Sequence, residues 1–211
     1  MREVEARFIA TSPTVFDQIQ EYGRLGGYDL IFKERQLLVT NYFDTERWDL
    51  LKAKSIMRLR RSGRTCTLNL RILSKRKANT KVIEELEEPL PDGYPEKIDV
   101  LDCKVMTRVK KIAPRRHLLV VLTIENNRTV VDLLRGGEPR FRMVLDDVEF
   151  VGSRDQRRHF EVEIESTGGD RYELEALLGV LTSGFPLEPS TESKFERGLR
   201  LMRAWPVGVE W

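Results

Sequence analysis

Soft metal ligands are scarce in this chain: two histidines, His117 and His159, and two cysteines, Cys66 and Cys103, in 211 residues. No zinc cluster with the usual ligand spacing can be assembled from them, so any bound metal has to be held by oxygen. Neither histidine stands in a motif with a serine or cysteine nucleophile, and both are expected to be structural or surface groups. Long apolar runs are missing as well. No window approaches the roughly 20 apolar residues of a membrane-spanning helix, and the charged opening residues lack the apolar stretch of a secretory signal. The cytoplasm is the expected setting, with no membrane partner and with both cysteines as free thiols. Net charge is nearly absent: 36 Lys and Arg oppose 34 Asp and Glu, leaving +2, too little to imply nucleic acid or an anionic membrane. No internal repeat, low-complexity tract or long linker interrupts the chain, so a single domain over residues 1–211 is expected.

What the chain does have is charge of both signs in quantity. Charged residues make up 33% and hydrophobic residues 40%, which places it among globular rather than disordered proteins. "TSPTVFDQIQEYGRLGG" reads as a helix capped by Ser12, with Pro13 in its first turn, Val15, Ile19 and Tyr22 as its apolar stripe, and Gly26 and Gly27 as its stop. Strand-like runs follow at "LLVTNYFD", "SIMRLRRS", "TCTLNLRIL" and "KVIEELEEPL". In "PEKIDVLDCKVMTRVKK", Ile98, Leu101, Val105 and Val109 recur at helical spacing. Strands return at "LLVVLTI", "RTVVDL", "PRFRMVLDDVEFV" and "RRHFEVEIES"; helices at "GDRYELEALLGVLTSG" and around "TESKFERGLRLM" close the chain. Eight or nine strands in sequential order predict an antiparallel α+β fold, and that many strands can close into a barrel.

Period-two reading of these strands exposes a repeated pattern. Glu3, Glu5 and Arg7 share a face, as do Arg58 and Arg60, Asn69 and Arg71, Glu85 and Glu87, and Glu161, Glu163 and Glu165. Alternation alone describes any sheet with one wet side. Here, however, the polar positions are biased to Glu and Arg rather than mixed with Ser, Thr, Lys and Gln. If these faces converge inside a barrel, the clustered carboxylates repel unless a cation joins them. An all-oxygen set suits a hard divalent cation, Mg²⁺ or Mn²⁺. Clustered arginines call for an anion, and the guanidinium fork matches phosphate oxygens. Together they describe a site for a metal-bound polyphosphate. "RRSGR" and "SKRKANTK" are basic but carry no stacking aromatics, so they are expected to be solvated loops rather than a nucleic-acid surface.

The ordered series "EVEARF", "NYFDTERWDLLKAKSIMRLRR", "TLNLR", "EELEEPL", "NNRTVVDL", "MVLDDVEF", "FEVEIES" and "SKFERGL" resembles the CYTH superfamily, the triphosphate tunnel metalloenzymes, over nearly the whole chain. The resemblance implies an antiparallel eight-stranded closed barrel with helices packed outside and Val4, Ala6 and Phe8 outward beneath them. It implies a metal held by Glu3, Glu5, Glu163 and Glu165, with Glu161 less central. Phosphate contacts would come from Arg7, Arg58, Arg60, Arg71, Arg128 and Lys194, and Glu85, Glu87 and Asp146 would be supporting acids that bind a second metal or orient water. Glu5, Arg7 and Glu85 are the implied catalytic residues. Arg7 stands where the family's ExExK signature has lysine, and arginine cannot lose its proton. Asp146 and Asp147 also fit a turn, Lys194 a helix cap or solvated position, and Arg128 follows "ENN", which fits a hairpin turn. The implied activity is metal-dependent hydrolysis of a linear triphosphate, inorganic tripolyphosphate first. Thiamine triphosphatase, nucleoside triphosphatase and adenylyl cyclase activities, or a non-catalytic polyphosphate-binding module, are the alternatives. The partner is then a small triphosphate-containing molecule, with a homodimer left open.

Overall fold

The structure is a computed structural model that describes residues 5–77, 80–90, 93, 95, 97–152 and 157–209, without the side chains of residues 5 and 73–83. In chain order its elements are β1 (Glu5–Ala10), α1 (Thr14–Glu21), β2 (Arg24–Leu25), β3 (Tyr28–Phe32), β4 (Gln36–Asp44), α2 (Asp49–Lys52), β5 (Ser55–Ser62), β6 (Thr65–Lys77), β7 (Thr80–Leu90), α3 (Lys104–Ile112), β8 (Leu119–Arg135), β9 (Glu138–Val151), β10 (Arg157–Ser166), α4 (Arg171–Gly184), β11 (Leu187–Pro189) and α5 (Lys194–Leu201). The strands hydrogen-bond in the order β11-β1-β10-β9-β8-β4-β5-β6-β7, with β3 beside β8 and β2 beside β3. The α+β class with an antiparallel sheet is as expected. The eight-stranded closed barrel is not: among the described residues the sheet has eleven strands, and hydrogen bonds do not join its two ends. The extra strands β2, β3 and β11 are short, of two, five and three residues. Closure depends on pairing between distant strands, which a period-two pattern does not encode.

Two compact units make up the chain. The first comprises residues 1–37, 126–149 and 157–192. Its core gathers Phe8, Ile19, Tyr28, Phe141, Val162, Ile164 and Leu177, with Ala6 packed against it. Of these, Ala6, Phe8, Val162 and Ile164 are the alternate residues of β1 and β10 that oppose the charged positions, as the alternation requires. Val4 and Glu3 lie outside the described residues. α1 ends at Glu21, before the glycines expected to stop it. Gly26 and Gly27 instead turn the β2–β3 hairpin, where Leu25 pairs with Tyr28 and both glycines have positive φ (58° and 86°). A two-residue turn of that kind favours glycine at both positions. Pro13 holds the N-cap position of α1 without a side-chain bond, while the Ser12 hydroxyl accepts from the Thr14 amide at 3.3 Å.

The second unit comprises residues 38–125, 150–156 and 193–211. Phe43, Met57, Leu59, Leu68 and Leu70 form one sheet face and bury Val105, Met106 and Val109 of α3 against it. The helix expected across residues 95–111 is broken into a 3₁₀ turn (Ile98–Val100) and α3, whose N-cap is Cys103. Glu88 of β7 explains where α3 begins: its carboxylate accepts from the Lys104 and Val105 amides at 3.1 and 2.7 Å, satisfying donors that a helix start leaves open. Burial by itself raises the Glu88 pKa, but these amides outweigh it and hold the carboxyl below its usual range. A folded-state pKa below the unfolded one means that unfolding takes up a proton in acid. The stabilisation is complete above the unfolded value and is lost as pH falls through the folded one. Thermal melts from neutral pH down to about pH 3 should therefore show Glu88→Gln less stable by about 1 kcal/mol at neutral pH, the scale of a lost cap, with the gap closing in acid.

α5 packs on the opposite face. Phe195 lies 4.8 Å from Tyr42, whose strand partner is Arg58. A Cβ on Gly198 would meet Leu122 Cδ2 at 2.5 Å and Phe150 Cδ1 at 2.9 Å, so only glycine permits this approach. The expectation that helices cover only the apolar side is thus corrected: α5 sits on the side that carries Arg58. The resemblance's "NYFDT" run also has a structural duty. Asp44 is buried and accepts from the amides of Thr45, Leu50 and Leu51 at 2.7, 2.9 and 2.9 Å, which fixes α2.

Candidate functional site

In the first unit, β1 and β10 pair antiparallel with Glu5 opposite Glu165, Arg7 opposite Glu163 and Ile9 opposite Glu161. Directly opposed residues point to the same side of a sheet, so Arg7, Glu163 and Glu165 emerge on one face. The arginines knit it together. Arg7 Nε lies 3.2 Å from Glu163 Oε1, and Arg128 Nη2 lies 3.6 Å from Glu163 Oε2. Arg128 also donates to both oxygens of Asp146, through Nε at 2.7 Å and Nη2 at 2.6 Å. Asp146 is fully buried within β9 and is no turn residue. Likewise "ENN" makes no hairpin turn: β8 runs unbroken for 17 residues and places Arg128 in its middle. Burial alone would weaken the hold of Arg128 on its proton, but Asp146, then Glu163 and Glu161, more than reverse this. One guanidinium therefore stands in the field of three carboxylates.

Glu161 is almost wholly buried, and its Oε2 lies 3.1 Å from His159 Nε2. His159, expected to be a structural or surface group, thus lies within the carboxylate strand β10 and contacts Glu161. The signal was present in "HFEVEIE", where His159 shares the parity of Glu161, Glu163 and Glu165. Glu165 is more open and faces Arg142 at 3.7 Å.

The second unit assembles a cluster of its own. Arg58 opposes Asn69, Asn69 opposes Glu87, and Arg71 opposes Glu85 across β5, β6 and β7. Glu85 Oε1 accepts from Asn69 Nδ2 at 2.8 Å and lies 3.7 Å from Arg58, while its Oε2 accepts from Arg71 at 3.4 Å. Partial burial raises the Glu85 pKa, but the Asn69 hydrogen bond and the charges of Arg71 and Arg58 bring it below the usual range, so Glu85 is ionised at neutral pH. Glu87 joins only through a long 3.5 Å contact from Asn69. Arg60 Nε donates to Thr40 Oγ1 at 3.2 Å. Lys194 is the first residue of α5, just after the Ser193 cap and beside Phe195.

The carboxylates offer only oxygen, which suits a hard cation in kind. Among the described residues, though, no three His, Cys, Asp or Glu side chains are grouped as a metal shell. Glu85, Asp146, Glu163 and Glu165 are instead paired with arginines, and the Glu3 and Glu5 side chains lie outside the description. The basic hairpin "SKRKANTK" is strand rather than loop at residues 74–77 and 80–81, with residues 78–79 outside the description.

The sequence model of the family described as CYTH domain matches residues 1–199. No curated protein matches the chain. Among solved structures, a Hippeastrum protein described as an adenylyl cyclase candidate with a dominant triphosphatase activity superposes with a TM-score of 0.68 at 23% identity, covering 99% of each chain. A Bacillus halodurans protein described as an adenylate cyclase candidate gives a TM-score of 0.61 at 18% identity, over 93% of this chain and 98% of its own. The PH1819 protein of Pyrococcus horikoshii gives 0.53 at 19% identity, over 94% and 99%.

Proposed function

We infer that this chain, which belongs to the CYTH domain family, hydrolyses a linear triphosphate, inorganic tripolyphosphate being the simplest, with Mg²⁺ or Mn²⁺. The observation that carries this reading is Arg128 held between Asp146 and Glu163, with Arg7 on the same Glu163. A sheet face that served packing alone would not keep several partly buried ions, because their desolvation is costly. A face of paired arginines and acids can, by contrast, exchange its internal ion pairs for a phosphate chain on the arginines and a cation on the acids.

Glu163 and Glu165, with Glu3 and Glu5, would hold the cation; Glu161 and Asp146 are assigned to its support. When bound, the cation neutralises phosphate oxygens as charge develops on the leaving group. Arg7 and Arg128 hold phosphate oxygens through their forked donors, and the same role is assigned to Arg58, Arg60, Arg71 and Lys194. Phosphoryl transfer asks the protein mainly for such positioning and charge neutralisation. For the second unit the resemblance implies a catalytic role for Glu85, which the Asn69 hydrogen bond and the Arg71 and Arg58 charges keep ionised at neutral pH. Attack on a terminal phosphorus breaks one phosphoanhydride bond and releases orthophosphate and the shortened chain. The triphosphatase activity described for the Hippeastrum protein is in keeping with hydrolysis.

Phosphate release should be fastest with tripolyphosphate, slower with ATP and thiamine triphosphate, abolished by a chelator and restored by Mn²⁺ or Mg²⁺. Cyclic AMP from ATP would reassign the reaction. Tripolyphosphate binding without turnover would make the protein a binding module.

A further inference from the structure

Beyond that activity, the first unit carries a second charged feature on the reverse side of β8, β9 and β10. Asp147 follows Asp146 and so points to the other side of β9. Its carboxylate is 7% exposed, and it receives Arg158 Nε and Nη2 at 2.6 and 2.6 Å and Arg35 Nη2 at 3.3 Å. Both arginine side chains are 60% exposed, and of the five N–H donors on each guanidinium Asp147 takes only part. They border a cavity of about 430 Å³ between α1 and the sheet, within the size range of small-molecule sites. Its apolar wall is aromatic: Phe16 meets Phe160 edge-on at 5.7 Å, and Phe32 lines the same space. Arg158 extends over the Phe160 ring at 5.2 Å, which joins the cationic end to the aromatic one.

Asp147 is one carboxylate shared by two arginines, Arg35 and Arg158, beside an apolar wall; Lys33, also on the lining, is held by Asp132 at 3.2 Å. Asp17, also on the lining, disfavours a ligand of higher negative charge. We propose that this cavity binds a small monoanion with a flat apolar body, an aromatic carboxylate, at a site separate from the acid–arginine face. The carboxylate meets the spare donors of Arg35 and Arg158, a geometry suited to a guanidinium fork. The ring lies against Phe16, Phe32 and Phe160.

Titration of the full chain with 2-naphthoate, followed by calorimetry and by backbone amide shifts, tests this. Binding is expected with shifts centred on Phe16, Phe32 and Phe160, and Arg35→Gln should weaken it about tenfold or more, the effect of losing a charged hydrogen bond. Arg35 is mostly exposed, so that variant keeps its fold. The neutral analogue 2-naphthalenemethanol should bind at least tenfold more weakly than 2-naphthoate. The site is refuted by undetectable 2-naphthoate binding, by equal affinity for the alcohol, by indifference to Arg35→Gln, or by shifts centred on Arg128 and Glu163 instead.

Discussion

Replacing Glu163 by glutamine should lower kcat/KM for tripolyphosphate by about 10²–10³-fold, the scale on which one preorganised electrostatic contact acts in a transition state. The change keeps the size of the side chain and removes only its charge. Glu163 is the acid that both Arg7 and Arg128 reach, so its loss disorients two assigned phosphate ligands and deletes one assigned metal ligand together. The metal concentration for half-maximal rate should consequently rise more than KM does. Melting should shift little, since Arg128 keeps both bonds to Asp146. Glu175→Gln, on the exposed face of α4, serves as the control. Steady-state rates titrated against Mn²⁺ provide the measurement, and a rate equal to that of the control would falsify the assignment of this face to catalysis.

Asp146→Ala is expected to have the largest effect on stability. Asp146 is fully buried and holds Arg128 at two points. Its removal leaves a largely buried guanidinium with, among the described residues, the longer contact to Glu163 and the field of Glu161. Breaking such a pair from one side costs about 3–5 kcal/mol, a fall in Tm on the order of 10 °C for a chain of this size. Replacing both partners, Arg128→Met with Asp146→Leu, should recover most of the stability, because two apolar groups leave no unpaired charge. Activity should not return with it. If the double variant melts as low as Asp146→Ala, packing rather than charge accounts for the loss. If it regains turnover, Arg128 has no part in phosphate binding.

Much of this was legible in the sequence because strand parity is local. The alternation in "REVEARF" and "RRHFEVEIES" places Phe8, Val162 and Ile164 in the core and Arg7, Glu163 and Glu165 on the opposite face, and the described residues follow it. Parity also places His159 with Glu161, Glu163 and Glu165, a signal that its residue type alone does not carry. Helices with strong caps were equally readable: α4 and α5 begin at Asp170 and Ser193, each with a reciprocal capping box. Misreadings fell where local chemistry serves two structures. Gly26 and Gly27 stop a helix or turn a hairpin with equal ease, and "ENN" suits a turn until its neighbours in the sheet hold it straight.

By itself, then, the sequence determined which residues are charged, how they alternate, and that an all-oxygen, arginine-rich chemistry was on offer, because these follow from residue type and a spacing of two. Tertiary structure alone decided partnership. It set Arg128 on Asp146 and Glu163, assigned Asp44 and Glu88 to helix starts, gave Asp147 to Arg35 and Arg158 on the reverse face, and left the ends of the sheet unjoined by hydrogen bonds among the described residues. The reason is physical: parity is set by the backbone of one strand, whereas an ion pair needs two segments brought within a few ångströms, and register and burial settle which two.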